Sequence, residues 1–497
     1  MLPSLLYCDR KQKYPSTSVN KNEMCLDLGL DAVLDIMSKK NPAVRDALQN
    51  ILLETPAVSA ANIIYRQNII RDALNNITEL LDLHNTLEKG LAAYDEGRKK
   101  ILPAGFSRSA PTIDRICVAA DLMKLLFSLA DKVRKHFEHL KTDVESVELK
   151  NFFEAYDRFY HYFFIRKAIN ESEKMGQLSH KSRVTLGAKI GLGFKGTDYI
   201  LRSITYDARK KRKSKTQILI KINNTALKQK STELRDAALS AKLHIANTVI
   251  SQTADDFKFL LYELNFYIGC IYLHKQMIFN GLNICFPYVC PDTADTLAFD
   301  SLADIGLAIR QNITPIANST DLCSIRLSII TGANQGGKTT FLRSIGCAQV
   351  MAQSGMFVAA NDFRFSIRAR IFTHFCKEED VSMKSGKLDE ELSRLSNIVD
   401  SIAPGDIIFM NESFSSTAER DGTAIACEVT GAFYDLGIKV IFVTHFYEFA
   451  KSKANEKKDG VSLLRAERNE DGTRTFIISP GLSQPTSYGM DLLNEYF

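Results

Sequence analysis

The run Thr331-Gly332-Ala333-Asn334-Gln335-Gly336-Gly337-Lys338-Thr339-Thr340 leaves this chain few choices of fold. It fits G-x-x-x-x-G-K-[ST], the loop that cradles nucleotide phosphates. Ile325-Arg326-Leu327-Ser328-Ile329-Ile330 before it reads as a short apolar strand, and Phe341-Leu342-Arg343-Ser344-Ile345-Gly346 after it as a helix start. Strand, loop and helix in that order are the context the motif needs. Gly332, Gly336 and Gly337 let the backbone turn so that successive N–H groups face an anion. The helix adds the positive end of its dipole. Lys338 would reach the β- and γ-phosphates, and Thr339 would offer its hydroxyl to Mg²⁺. ATP and Mg²⁺ are therefore the expected cofactors, held by residues 332–340, Thr340 included.

Two further segments fit the same domain. Ile407-Ile408-Phe409-Met410 is an apolar run of the kind that forms a buried parallel strand, and it ends in Asn411-Glu412. Phosphate-loop ATPases place a carboxylate at such a strand end to hold the Mg²⁺ shell. Here the first position is an amide and the second an acid. Glu412 is the candidate general base. Asn411 can reach the metal through a bound water but brings no negative charge, so weaker metal binding is expected. Val440-Ile441-Phe442-Val443 reads as a third strand, followed by Thr444-His445. A histidine at a strand's carboxyl end sits where open α/β sheets bind ligands. His445 would sense the γ-phosphate or hold the attacking water; the alternative is a structural histidine.

These stretches resemble the MutS family of DNA mismatch-repair ATPases. TGANQGGKTTFLRSIG is similar to that family's TGPNMGGKST loop, MNESFSSTAERDG to its MDE-x-GRGTS-x-x-DG, and VTHFYEF to its TH-[FY]-x-EL. Ile316-Ala317-Asn318 and Ser487-Tyr488-Gly489 match shorter signatures, and Tyr65-Arg66-Gln67 with Asp72 gives a weaker echo. The resemblance implies that Asn334 contacts phosphate or a bridging water. It implies that Ser416 and Thr417 lie near a composite site shared by two subunits, and that Asp421-Gly422 forms a turn against the partner. Ser385 is the nearest candidate for the serine that acts in trans. Pro315 stands where the family commonly has an aromatic that stacks on adenine. The family's mismatch reader carries a Phe-x-Glu wedge; Phe152-Phe153-Glu154 here falls in a helical pattern and reads as core or helix surface, not a wedge. Sequence-independent or structure-selective DNA binding is therefore expected rather than mismatch reading.

Composition narrows the remaining classes. The 497 residues permit two to four domains with real cores. Ten cysteines include no C-x-x-C pair, and Cys285 and Cys290 lack a matching cluster for zinc. Reduced, mostly buried thiols in a cytoplasmic protein are expected. No leader-like apolar core and no membrane-length apolar stretch is present. Net charge is only +5, but Arg209, Lys210, Lys211, Arg212, Lys213 and Lys215 form a dense basic run. On charge alone this is a solvated loop; with the resemblance it becomes a candidate contact to DNA phosphates.

The expected architecture is multidomain. An all-α helical lever over residues 1–283 carries a clamp-like insertion at about 176–223, where Gly187, Gly191, Gly193 and Gly196 break the helical pattern. An α/β phosphate-loop ATPase domain of ABC type follows over 284–497. The aromatic stripe from Phe152 to Phe164 reads as core, and Lys451–Lys458 as a charged loop. The functional expectation is a homodimeric, DNA-clamping ATPase in mismatch repair or related DNA maintenance. The alternative is a nucleotide-binding switch that hydrolyses slowly or not at all because of Asn411.

Overall fold

The computed structural model describes residues 2–8, 21–54, 59–101, 112–178, 182–192, 196–205, 225–291, 294–377, 386–469 and 473–482. The chain forms two compact units. One comprises Met1–Pro3 and Asn76–Tyr262, the other Ser4–Asn75 and Glu263–Phe497. The boundary expected near residue 283 differs from this division, because the first helices belong with the α/β unit.

Those helices are α1 (Lys21–Leu28), α2 (Leu30–Ser38), α3 (Pro42–Gln49) and α4 (Ala60–Asn75). The next segment supplies α5 (Ile77–Ile101), α6 (Thr112–Leu140), α7 (Val147–Phe159), α8 (Tyr162–Gly176), β1 (Arg183–Ile190), β2 (Gly196–Thr205) and the long α9 (Thr225–Phe279). The remainder alternates: β3 (Tyr288–Cys290), β4 (Leu297–Leu302), α10 (Ile305–Gln311), β5 (Asn318–Asp321), β6 (Leu327–Thr331), α11 (Lys338–Gln353), β7 (Asp362–Ser366) and β8 (Ile371–Phe375). It closes with α12 (Lys387–Val399), β9 (Ile407–Asn411), α13 (Glu419–Asp435), β10 (Lys439–Val443), α14 (Tyr447–Glu456), β11 (Val461–Arg468) and β12 (Arg474–Pro480). Lys451–Glu456 is thus helical, not a loop; Phe449 and Ala450 bury its apolar side.

In the first unit α6 packs on α5, α7 and α8. The aromatic stripe divides. Phe152, Phe153, Tyr156 and Tyr160 are buried around Phe137 and Phe257, so the Phe-x-Glu segment puts its phenylalanines in the core and Glu154 on the helix surface. Phe159, Tyr162, Phe163 and Phe164, at the end of α7 and the start of α8, are at least 41% exposed. The glycine-rich insertion contains an antiparallel β1–β2 hairpin. The basic run 209–215 lies outside the described residues.

The second unit is built on a six-stranded sheet in the order β12-β11-β6-β10-β9-β8, parallel except for β12. Its central strands are apolar and buried because helices cover both faces. A four-stranded sheet, β3-β7-β4-β5, flanks it. Described residues between 4 and 75 enter this core. Leu28 lies against Gly346 so closely that a Cβ there would fall 2.5 Å from its methyl carbon. Arg66 is fully buried and donates to Leu6 O and to Ser354 O at the end of α11. Glu263 accepts from Ser4 Oγ and Leu5 N. The first described residues include buried Leu5 and Leu6. The thiols are less buried than expected: Cys25, Cys270 and Cys347 are enclosed, Cys8 is exposed and the other six lie between.

Arg66→Ala is expected to lower stability by about 3 kcal/mol, because a buried guanidinium and the carbonyls it serves cannot be replaced by water. A urea midpoint shift worth less than about 1 kcal/mol would show that those carbonyls find other donors.

Candidate nucleotide site

β6, β10 and β9 are adjacent and parallel, and their register ends them level: Val443 pairs with Ile330 on one side and Asn411 on the other. The residues singled out in the sequence follow those three ends. Thr444 N donates to Ile330 O, and Glu412 N to Val443 O, so the ladder continues one residue into the site. This level edge brings the phosphate loop, Asn411-Glu412 and His445 together.

The loop turns through Gly332 at φ 128° and Gly337 at φ 89°. The third left-handed position is Gln335 at φ 60°, not Gly336. Gly336 is required for another reason: a Cβ there would lie 3.0 Å from both Ala333 O and Ala466 Cβ. Lys338 is buried at the start of α11, and its ammonium donates to Gly332 O (2.8 Å) and Ala333 O (3.0 Å), 3.9 Å from Glu412 Oε1. Burial lowers its pKa, and the Glu412 carboxylate opposes that shift. His445 Nδ1 lies 2.6 Å from Glu412 Oε2. That hydrogen bond raises the histidine pKa against the opposing effect of burial. Lysine, carboxylate and imidazole thus form one chain of contacts, as a general base with an orienting partner requires.

Thr339 Oγ1 donates to Asn411 Oδ1 at 2.9 Å. Two neutral oxygens facing each other suit a hard cation that keeps most of its water and phosphate ligands. The donor set fits Mg²⁺, with less charge than an aspartate would supply. No cluster of three or more His, Cys, Asp or Glu able to hold a metal occurs among the described residues.

Beside the loop is a cavity of about 500 Å³, lined by Lys338, Thr339, Ile313, Pro315, Ile316 and Phe476. Phe476, on β12, escaped sequence reasoning because no motif surrounds it. It holds φ 60° and is 44% exposed. Asn318 anchors it, donating to Phe476 O (3.2 Å) and accepting from Ile478 N (2.7 Å). Phe476 and Pro315 line the same cavity.

A second missed residue is Glu391, buried on α12. Its carboxylate accepts from Phe414 N (2.8 Å) and Ser416 Oγ (2.7 Å). His374 is buried on β8, and its Nε2 donates to Glu391 O (3.1 Å), while Nδ1 faces Ser413 Oγ (2.8 Å). Burial lowers the His374 pKa, and Ser413 Oγ donates to His374 O at 2.8 Å. The Ser416 hydroxyl is therefore committed within the chain. Thr417 is half-buried beside it, and Asp421 is exposed. Asp421-Gly422 lies in the first turn of α13 rather than in a loop; Gly422 is needed because a Cβ would meet Phe446 at 2.5 Å. Ser385 and Ser487–Gly489 lie outside the described residues.

A glycine-hinged loop between a buried parallel strand and a helix, with an acid and a histidine at the neighbouring strand ends, defines the phosphate-loop class. Residues 328–495 match the family described as MutS domain V, and residues 58–278 the MutS2 N-terminal domain. The chain belongs to the MutS family. It is 31% identical over 172 residues to the DNA mismatch repair protein MutS of Caldicellulosiruptor bescii, a match covering 34% of this chain and 20% of that protein. It is 28% identical over 247 residues to the mouse (Mus musculus) MutS protein homolog 4, covering 46% and 26%. The probable DNA mismatch repair protein Msh6 of Drosophila melanogaster is 31% identical over 173 residues, covering 33% and 14%. The matches span about a quarter or less of these relatives' lengths.

Two outcomes are expected. Glu391→Ala leaves Phe414 N and Ser416 Oγ without their acceptor and should cost about 2–4 kcal/mol, whereas Glu391→Gln, which keeps an acceptor for the amide, should cost less; equal melting curves for both variants and wild type would remove the carboxylate from this role. For His445, a raised pKa means its contact with Glu412 is strongest at low pH and fades as pH rises through that value. The His445 ring resonance should titrate above the ordinary histidine range, and near that range in Glu412→Gln.

Proposed function

We propose that this chain is a MutS-like ATPase that couples nucleotide binding and hydrolysis to a grip on DNA. MutS-family members are ATPases that use ATP with Mg²⁺, bind DNA and often act as dimers. The observation that carries the proposal is the contact chain Lys338–Glu412–His445 at the edge of the phosphate loop.

On this reading the triphosphate displaces the loop carbonyls as partners of Lys338, whose ammonium then neutralises charge developing on the γ-phosphate. Glu412 orients the attacking water and takes its proton. His445 holds the Glu412 carboxylate and reports on the γ-phosphate. Phe476 and Pro315 wall the base. Thr339 and Asn411 would hold Mg²⁺, which supplies further charge neutralisation when bound. Ser416, Thr417 and Asp421, with Ser385, belong to the face that a second subunit would use, so a homodimer is the working form.

DNA is assigned to the helical unit. Residues 76–262 carry 33 Lys and Arg against 22 Asp and Glu, while the rest of the chain has an acidic excess. The run from Arg209 to Lys215 supplies much of that imbalance, and phosphate contacts there would give sequence-independent affinity. We read the helices as a lever and the β1–β2 region as part of a clamp, in DNA repair or related maintenance. No helix among the described residues is long and apolar enough to cross a membrane; a cytoplasmic setting is part of the proposal.

A second reading follows from the Asn411–Thr339 contact. A neutral pair at the metal position makes a slow enzyme or a switch. The deciding experiment is Mg²⁺-dependent ATP hydrolysis by the full chain, with and without duplex and branched DNA. Turnover that DNA alters, that Lys338→Ala abolishes and that Glu412→Ala lowers by at least about a hundred-fold is expected. ATP binding without turnover, revived by Asn411→Asp, favours the switch.

A further inference from the structure

Arg474 opens β12, two residues before Phe476. Its Nη1 donates to Gln335 Oε1 at 2.6 Å. Gln335 holds a left-handed conformation on the exposed side of the phosphate loop and lines the cavity with Lys338 and Thr339. The two β12 residues therefore meet the loop at neighbouring points: Phe476 lies 3.5 Å from where a Cβ on Gly337 would stand, and Arg474 is bonded to Gln335.

Gln335 is also a departure. The MutS pattern TGPNMGGKST has methionine at this place, and a thioether cannot steer a guanidinium as an amide oxygen does. A guanidinium presents five donors in a fixed fork, matched to two oxygens of one anion. One of those donors goes to Gln335. The anion that a phosphate loop gathers is a phosphate chain. Across the site, Asn411 supplies no charge to fix a divalent cation, so the chain's own cations carry more of the neutralisation.

We propose that Arg474, steered over the loop by Gln335, is a phosphate-binding residue that grips the phosphate chain of a bound nucleoside triphosphate from within the same subunit. This rests on the reading of the cavity as a nucleotide site. It sets selectivity by phosphate number rather than by base. Lys338 works from beneath the loop, where it is buried; Arg474 closes from the solvent side.

The test measures ATP and AMP affinity for the full chain by competition against a fluorescent nucleotide. EDTA is present, so that neither hydrolysis nor a divalent ion contributes. Arg474→Ala is expected to weaken ATP by about ten-fold or more and to leave AMP unchanged. Arg474→Lys should recover only part of the loss, because a point charge cannot hold Gln335 and a phosphate together. Gln335→Met should weaken ATP in the same direction. Unchanged ATP affinity in Arg474→Ala overturns the proposal and leaves the contact as a tie between strand and loop. Equal loss of ATP and AMP overturns it too, placing the residue's effect on the base side. Wild-type protein that binds neither nucleotide overturns the nucleotide reading itself, and this proposal with it.

Discussion

The working edge of the sheet depends on a strained turn. Glu412 at φ 51° and Phe414 at φ 67° stand on either side of Ser413, both left-handed and neither a glycine. Such residues cost about 1–3 kcal/mol each and persist only when their surroundings over-determine them. The buried Glu391 carboxylate takes the Phe414 amide and the Ser416 hydroxyl, His374 takes Ser413, and the Phe414 ring packs into the sheet's core. Without that clamp the turn would relax, and the Glu412 carboxylate would leave the position it shares with Lys338 and His445. The MutS pattern has glycines where this chain has Phe414 and Ser416. The strain is a feature of this chain, and so is its need for the clamp.

Much of this edge was legible in the sequence because it is local. A glycine loop between an apolar run and a helix, and two further apolar runs ending in Asn411-Glu412 and Thr444-His445, carry their meaning in neighbouring residues. The level register of β6, β10 and β9 then places them together without further information. What escaped was non-local. Phe476, Arg474 and Glu391 act across about 140, 139 and 25 residues of chain respectively, on Gly337, Gln335 and Ser416. No periodicity or motif marks such pairs.

The placement of α1–α4 in the α/β unit was not legible for a similar reason. Their apolar periodicity marks them as helices but does not name the surface they cover. Arg66 shows the difference. In sequence it is a charge in a helical pattern, and by composition it belongs on a surface. In the fold it is buried against Leu6 and Ser354, and the carbonyls fixed there help offset the cost of burying it.

That packing gives α11 a mechanical role beyond holding Lys338. Near its start, Arg343 Nε donates to Asp27 O of α1. One turn on, Gly346 admits Leu28. Just past its end, Ser354 O accepts from Arg66 of α4, and a Cβ on Gly355 would strike Arg66 at 2.7 Å. The helix is thus fastened at three levels to segments that precede it by roughly 300 residues. A close-packed contact with no spare methyl group transmits displacement rather than absorbing it. The amino end of α11, which carries Lys338, is therefore positioned by α1 and α4 as well as by the sheet.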